Sequence, residues 1–299
     1  LNVFFITNEF YWFSLLPVVL IVLLLAMFSL DKLVLLIVLL TPFSITLDQL
    51  DLGLGISLPT EPLMFGVMIV FIVKQFYEGG FDKKVITHPL SIAIIINLVW
   101  IAITCITSEM PIVSFKFLLA RLWFVITFYF VCIQLFKNPS NIKKFLWLYL
   151  IAFTGVIFYT IFRLWQYDFD EYHAQRLMRP FYKNHTSYGA IIAMFIPVLI
   201  GFSLNKQQGK GMKRISIIVL VIFCFAISLS HTRAAWVSLL AALCFYLIIV
   251  FRLKFRTILL GAGVFIGLLL MFQGNIITKL EKNKQDSSDD FTEHVQSIV

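Results

Sequence analysis

Two short polar stretches interrupt an otherwise apolar chain, and both are built around arginine. The first is Arg176-Leu-Met-Arg-Pro-Phe-Tyr-Lys-Asn-His-Thr-Ser-Tyr-Gly, residues 176–189. Arg176, Arg179 and Lys183 supply cations. Asn184, Thr186 and Ser187 beside His185 suit the start of a helix, where unpaired N–H groups and the helix dipole favour an anion. The second is Ser-Leu-Ser-His-Thr-Arg-Ala-Ala-Trp, residues 228–236. There Arg233 stands with Ser228, Ser230, His231 and Thr232 between two apolar runs that leave almost no loop. A third element is Lys116 and Arg121, with Arg121 five residues deeper in its run, or ~7.5 Å at helical rise. A guanidinium presents a planar fork that donates two hydrogen bonds to a phosphate. The chemistry common to the three is capture of an anion at membrane depth, most simply a lipid diphosphate. Each also has a plainer reading: an arginine reaching for lipid headgroups, a basic loop with a good helix cap, and an amphipathic turn at the membrane surface.

The elements that must position these residues are membrane helices. Of the 299 residues 60% are apolar and 13% charged, with a mean hydropathy of +0.93. A hydrocarbon core of about 30 Å takes roughly 20 apolar helical residues to cross, and backbone groups inside it must be satisfied by helices or a closed barrel. The apolar runs are continuous rather than alternating, which favours helices. The expected fold is all-α, a polytopic transmembrane bundle of about ten spans over residues 1–272, followed at 273–299 by the start of an external loop. The spans fall at 11–30, 33–47, 62–76, 89–107, 113–136, 145–163, 184–204, 214–230, 233–251 and 256–272, with 33–47 and 62–76 short enough to be tilted, re-entrant or partly interfacial. Pro197 should kink the seventh, and Gly263 and Gly267 have the spacing that seats a neighbouring helix. The chain begins at Leu1 and stops within a polar stretch at Val299, so both ends read as truncated.

The loops alternate in charge. One set holds 14 of the 24 basic residues, among them Lys83, Lys84, Lys137, Lys206, Lys210 and Arg252, with only Asp31, Glu78 and Asp82 as acids. Cytoplasmic loops carry the lysine and arginine excess. This places both arginine clusters on the opposite, external face. The net charge of +8 is spread over these loops, so it is a topology signal and not a nucleic-acid footprint. Cys105, Cys132, Cys224 and Cys244 all fall inside apolar runs and read as small buried hydrophobes. Asp168, Asp170 and Glu171 resemble a metal-binding acid pair but read as solvated loop acids. His173 and His185 lack a ligand partner at helical spacing. No metal, phosphate-loop or dinucleotide motif is present, so no cofactor is expected.

The segment from Arg179 through Lys183-Asn-His-Thr-Ser-Tyr-Gly into the run containing Pro197 resembles the first signature of the O-antigen ligase and O-antigen polymerase superfamily. Leu229-Ser-His-Thr-Arg-Ala-Ala-Trp resembles its second. The resemblance covers roughly 176–251 and departs from the usual Asn-Pro-Asn form at Asn184-His185-Thr186. It implies an all-helical glycosyltransferase of the bacterial inner membrane, working at the periplasmic face without a metal. A glycan would pass from an undecaprenyl-diphosphate carrier to a hydroxyl of lipid A-core, a growing polysaccharide or a protein. By position, Arg179 and Arg233 would bind the donor diphosphate, with Arg121 a third cation and Arg176, Lys183, Asn184, His185, His231 and Thr232 in support. The family's general-base histidine belongs to a His-Asn pair that this sequence lacks, which places it beyond Val299. The alternative is a non-enzymatic transporter or flippase of an anionic lipid-linked glycan. That reading needs a polar path to the cytoplasmic face, and the inner halves of the spans are nearly all Leu, Ile, Val and Phe.

Overall fold

The computed structural model describes residues 29–46, 57–77, 82–169 and 177–252, with Arg256 and Gly263. The chain runs through α1 (Leu30–Leu40), a 3-10 turn (Thr41–Phe43), a short antiparallel pair β1 (Ile45–Thr46) and β2 (Ser57–Leu58), α2 (Thr60–Tyr77), α3 (Lys83–Ile86), α4 (Pro89–Ile106) and α5 (Pro111–Val125). A π-helical segment (Ile126–Val131) joins α5 to α6 (Cys132–Leu135). Then come α7 (Pro139–Trp165), α8 (His185–Leu204), α9 (Lys210–Leu229) and α10 (Arg233–Val250). Among the described residues seven helices are long and apolar enough to cross a membrane: α2, α4, the continuous run Pro111–Leu135, α7, α8, α9 and α10. The protein is a multi-pass membrane protein, almost wholly helical among the described residues. Of the remaining expected spans, 11–30 and 256–272 lie almost wholly outside the described residues, as does the tail 273–299.

The expected span at 33–47 is a shorter element. α1 has 11 residues, ~16 Å at helical rise, about half a hydrocarbon core. Pro42 has no N–H to continue the ladder, and the Thr41 hydroxyl instead donates to the Ile37 carbonyl at 2.8 Å. This short helix is nonetheless central. Leu33, Val34, Ile37 and Val38, at helical spacing, are all at most 1% exposed. Leu33, Val34 and Ile37 pack with Met64, Val67 and Phe71 of α2 and with Val131, Cys132 and Leu135.

Elsewhere the helices begin earlier than hydropathy alone indicates. α7 starts at Pro139, with the Asn138 side chain accepting from the Ser140 N–H, and α9 starts at Lys210. The additional turns carry Lys143, Lys144, Lys210 and Lys213. Hydropathy marks the stretch that fits in hydrocarbon, whereas the hydrogen-bond ladder continues into the headgroup layer, where lysine is well placed. A second core is aromatic: Phe153 of α7 touches Tyr149, Tyr182, Tyr188 and Phe223. It joins α7 to α8 and α9.

Apolar side chains also cover the outside. On α4, Ile92, Ile96, Val99, Trp100 and Ile103 are exposed, as a lipid-facing helix requires. The cysteines follow the same logic. Cys132 is buried, but Cys224 and Cys244 are exposed, because an apolar residue in a membrane protein is as well placed against lipid as in a core. Val237 onward forms a second compact unit, separate from Leu1–Trp236. Its described part is the rest of α10, the turn at Phe251 and Arg252, and the single positions Arg256 and Gly263.

Candidate functional site

One end of the first unit gathers the C-terminal ends of α7 and α9, the segment 177–184, the N-terminus of α8 and the turn into α10. Asn184 caps α8: its carboxamide oxygen accepts from the Ser187 N–H at 2.9 Å and from the Ser187 hydroxyl at 2.8 Å. Asparagine is a strong helix-start residue for this reason. The turn from α9 to α10 is tight. Ser230 ends α9 with its hydroxyl bonded to the Ile227 carbonyl at 2.8 Å. His231 then takes a left-handed backbone (φ 47°), a conformation histidine adopts more readily than most residues. α10 begins at Arg233.

This turn is seated directly on α8. The Thr232 hydroxyl lies 3.1 Å from the His185 carbonyl and 3.0 Å from the Ser230 carbonyl, each a geometry in which it donates. Gly189, one helical turn further along α8, admits it: a Cβ there would stand 2.8 Å from Thr232 Oγ1 and 3.2 Å from Ser230 Oγ. Ser230 and Thr232 are buried, so the contact is dry. The two arginine-bearing segments, 47 residues apart at Thr232 and His185, are therefore one structural unit.

The segment before α8 is anchored from α7. Arg163 Nη1 donates to the Arg179 carbonyl at 3.1 Å and to the Tyr159 hydroxyl at 3.2 Å. Tyr159 also donates to the Arg179 carbonyl, at 3.4 Å, and its ring meets Phe181 edge-on at 5.2 Å. Leu177 packs in a small buried cluster with Leu164, and Leu229 covers it. Because Leu229 is one residue before the turn, this cluster ties 177–184 to 229–233 independently of the Thr232 bond. Tyr182 faces inward onto Phe153. Burial holds its phenol well above the usual tyrosine range, and its hydrogen-bond partner Tyr149 adds to the shift.

Arg179, Lys183, Asn184, His231 and Arg233 are exposed and His185 is half-buried, so the cations Arg179, Lys183 and Arg233 face outward at this mouth while its backbone is fixed from below. Arg121 is elsewhere. It lines a groove between α4 and α5 with Asn97, Phe124 and Tyr129, among others. None of the residues described as lining that groove belongs to 177–189 or 230–233. Arg176 lies outside the described residues. No group of three or more His, Cys, Asp or Glu side chains among the described residues is placed to hold a metal ion.

Sequence reasoning missed Arg163, Tyr159 and Gly189. Arg163 carried a signal, a lone cation at the end of an apolar run, where a charge needs a reason. Gly189 carried none, because its need for space is set by Thr232, a distant residue in the chain. The fold and this mouth define a multi-pass helical membrane protein with a rigid, cation-bearing polar mouth at one end of its first unit. No protein-family model, no curated protein and no solved structure matches the chain.

Proposed function

We propose that the protein is a membrane glycosyltransferase that moves a glycan from a polyprenyl-diphosphate carrier to an acceptor hydroxyl at the external face of a bacterial inner membrane. The observation that carries the reading is the bond from Thr232 to the His185 carbonyl, which joins two cation-bearing segments at one mouth. In the reaction the acceptor oxygen bonds to the anomeric carbon. The bond from that carbon to the diphosphate oxygen breaks, and its electron pair leaves with the diphosphate. The acceptor's proton passes to a base. Charge grows on the leaving diphosphate, and fixed cations aimed at developing charge are the most effective single device for stabilising it. Arg179 and Arg233 take that role, with Lys183 beside them and the α8 N-terminus adding its free N–H groups. A bundle exposing such a mouth at the membrane surface admits the lipid donor from the bilayer and the acceptor from water. The assignment of this end to the external face rests on the charge of the loops.

Replacing Arg233 with alanine in the full-length protein tests the reading. Transfer measured at matched expression should fall about 10²–10³-fold, the effect of removing one donor from a preorganised anion site. Unchanged transfer would remove the assignment.

A further inference from the structure

The groove that holds Arg121 belongs to a different part of the molecule and does a different job. We propose that it binds one anionic phospholipid of the surrounding bilayer, with the phosphate on Arg121 and Asn97 and an acyl chain along the π-helical segment. The first constraint is depth. Lys116 and Lys137 stand 21 residues apart on the continuous helical run Pro111–Leu135 and the turn after it. At helical rise that is ~31 Å, the thickness of a hydrocarbon core. Lysine prefers the two headgroup layers, so these residues mark the two edges of the core. Arg121 is then ~7.5 Å inside one edge. Both Arg121 and Asn97 are exposed, on helices apolar and long enough to cross a membrane, at a depth where the bilayer is the expected neighbour. A cation and an amide facing hydrocarbon are costly unless an anion reaches them, and a phosphate at the headgroup boundary is within reach of an arginine at that depth.

The shape agrees. The groove has a volume of ≈ 500 Å³, and its polar lining is Asn97, Arg121 and Tyr129, with no acid. The hydroxyls of Tyr129 and Ser91 lie 2.8 Å apart, closing the polar part. Phe128 and Tyr129 also line a second groove of ≈ 430 Å³, whose apolar lining is Cys132, Ile133 and Phe136. This is a headgroup site beside an apolar trough. The π-helical turn Ile126–Val131 carries both shared residues. Such turns occur frequently at functional sites.

Native mass spectrometry of the purified, delipidated protein tests this, titrated in parallel with phosphatidylglycerol, phosphatidylcholine and inorganic phosphate. The wild type should retain one phosphatidylglycerol at activation energies that strip phosphatidylcholine, and excess inorganic phosphate should not displace it. Arg121→Gln should lower that retention at least tenfold. Ala93→Trp, which fills the groove without touching a charge, should do the same, whereas Arg233→Gln should leave it unchanged. Equal retention of the two lipids by the wild type, full retention in Arg121→Gln, or displacement by inorganic phosphate would each overturn the proposal. So would loss of retention in Arg233→Gln, which would move the lipid to the other mouth. Because the readout is lipid retention and not transfer, its failure is distinct from failure of the glycosyltransferase reading.

Discussion

Thr232 and Gly189 fit together as a peg and its seat. Thr232 Oγ1 occupies the space a Cβ on residue 189 would need, at 2.8 Å, while bonding to the carbonyl of His185 one turn away. Two segments that are each ordinary alone, a helix start and a helix hairpin, are made into one rigid rim by a missing side chain. Arg233 follows directly on this contact, while Arg179 is held beside it by Arg163, Tyr159 and the Leu177 cluster.

The first consequence concerns packing. Gly189→Ala places a methyl group against buried Thr232, and overpacking of this kind costs about 1–3 kcal/mol. Thr232→Gly loses the hydrogen bond and a buried side chain but restores space. The double variant should be more stable than the sum of the two single losses, since residues in contact do not act additively. Thermal unfolding in detergent measures this, and strict additivity would show that the two residues do not touch.

The cap of α8 can be removed alone. Asn184→Ala deletes the acceptor for the Ser187 N–H and should cost about 1 kcal/mol. Asn184→Asp keeps the acceptor and should retain the stability. If alanine and aspartate behave alike in the same unfolding measurement, the cap is not formed.

Arg163 acts through its neighbours. Arg163→Gln loses the donor to the Arg179 carbonyl. Amide exchange across 177–184 should therefore quicken while exchange within α8 stays unchanged. If the site works as proposed, transfer falls as well, through displacement of Arg179. Uniform quickening across the bundle would mean that Arg163 supports the whole fold and not this segment.

Tyr182 gives a dependence on pH. Its phenol is held neutral above the ordinary value of 10.0 by burial and by Tyr149. For an acid whose folded pKa is raised, the stabilisation is fully present below the unfolded pKa and declines as pH rises past it, because only the unfolded chain then loses the proton. Unfolding temperature should accordingly be insensitive to this group below about pH 10 and fall above it. In Tyr182→Phe that alkaline fall should be shallower. An identical decline in both proteins would place Tyr182 in water.

Much of the molecule was legible in its sequence because a bilayer is a severe solvent. Continuous apolar runs admit only helices there, and the seven long helices fall where the runs do. Local rules also held where they needed only neighbours: Asn184, expected at a helix start, caps α8. At 33–47, where the run is short enough to be re-entrant or interfacial, the structure has an 11-residue helix packed inside the first unit. Hydropathy cannot separate a helix buried by protein from one buried by lipid. The cysteines misled for the same reason.

The sequence by itself determined what each segment is: a membrane helix, a cap, a basic loop, an arginine at an awkward depth. Those properties follow from transfer to hydrocarbon and from hydrogen bonds between neighbours in the chain. Only the tertiary structure decided what each segment meets. It set Thr232 against Gly189, hung the Arg179 carbonyl on Arg163, and assigned Arg121 to a groove with Asn97. Contacts between residues distant in the chain depend on how helices rotate and stack, and composition leaves that undetermined because every face of a membrane helix is apolar.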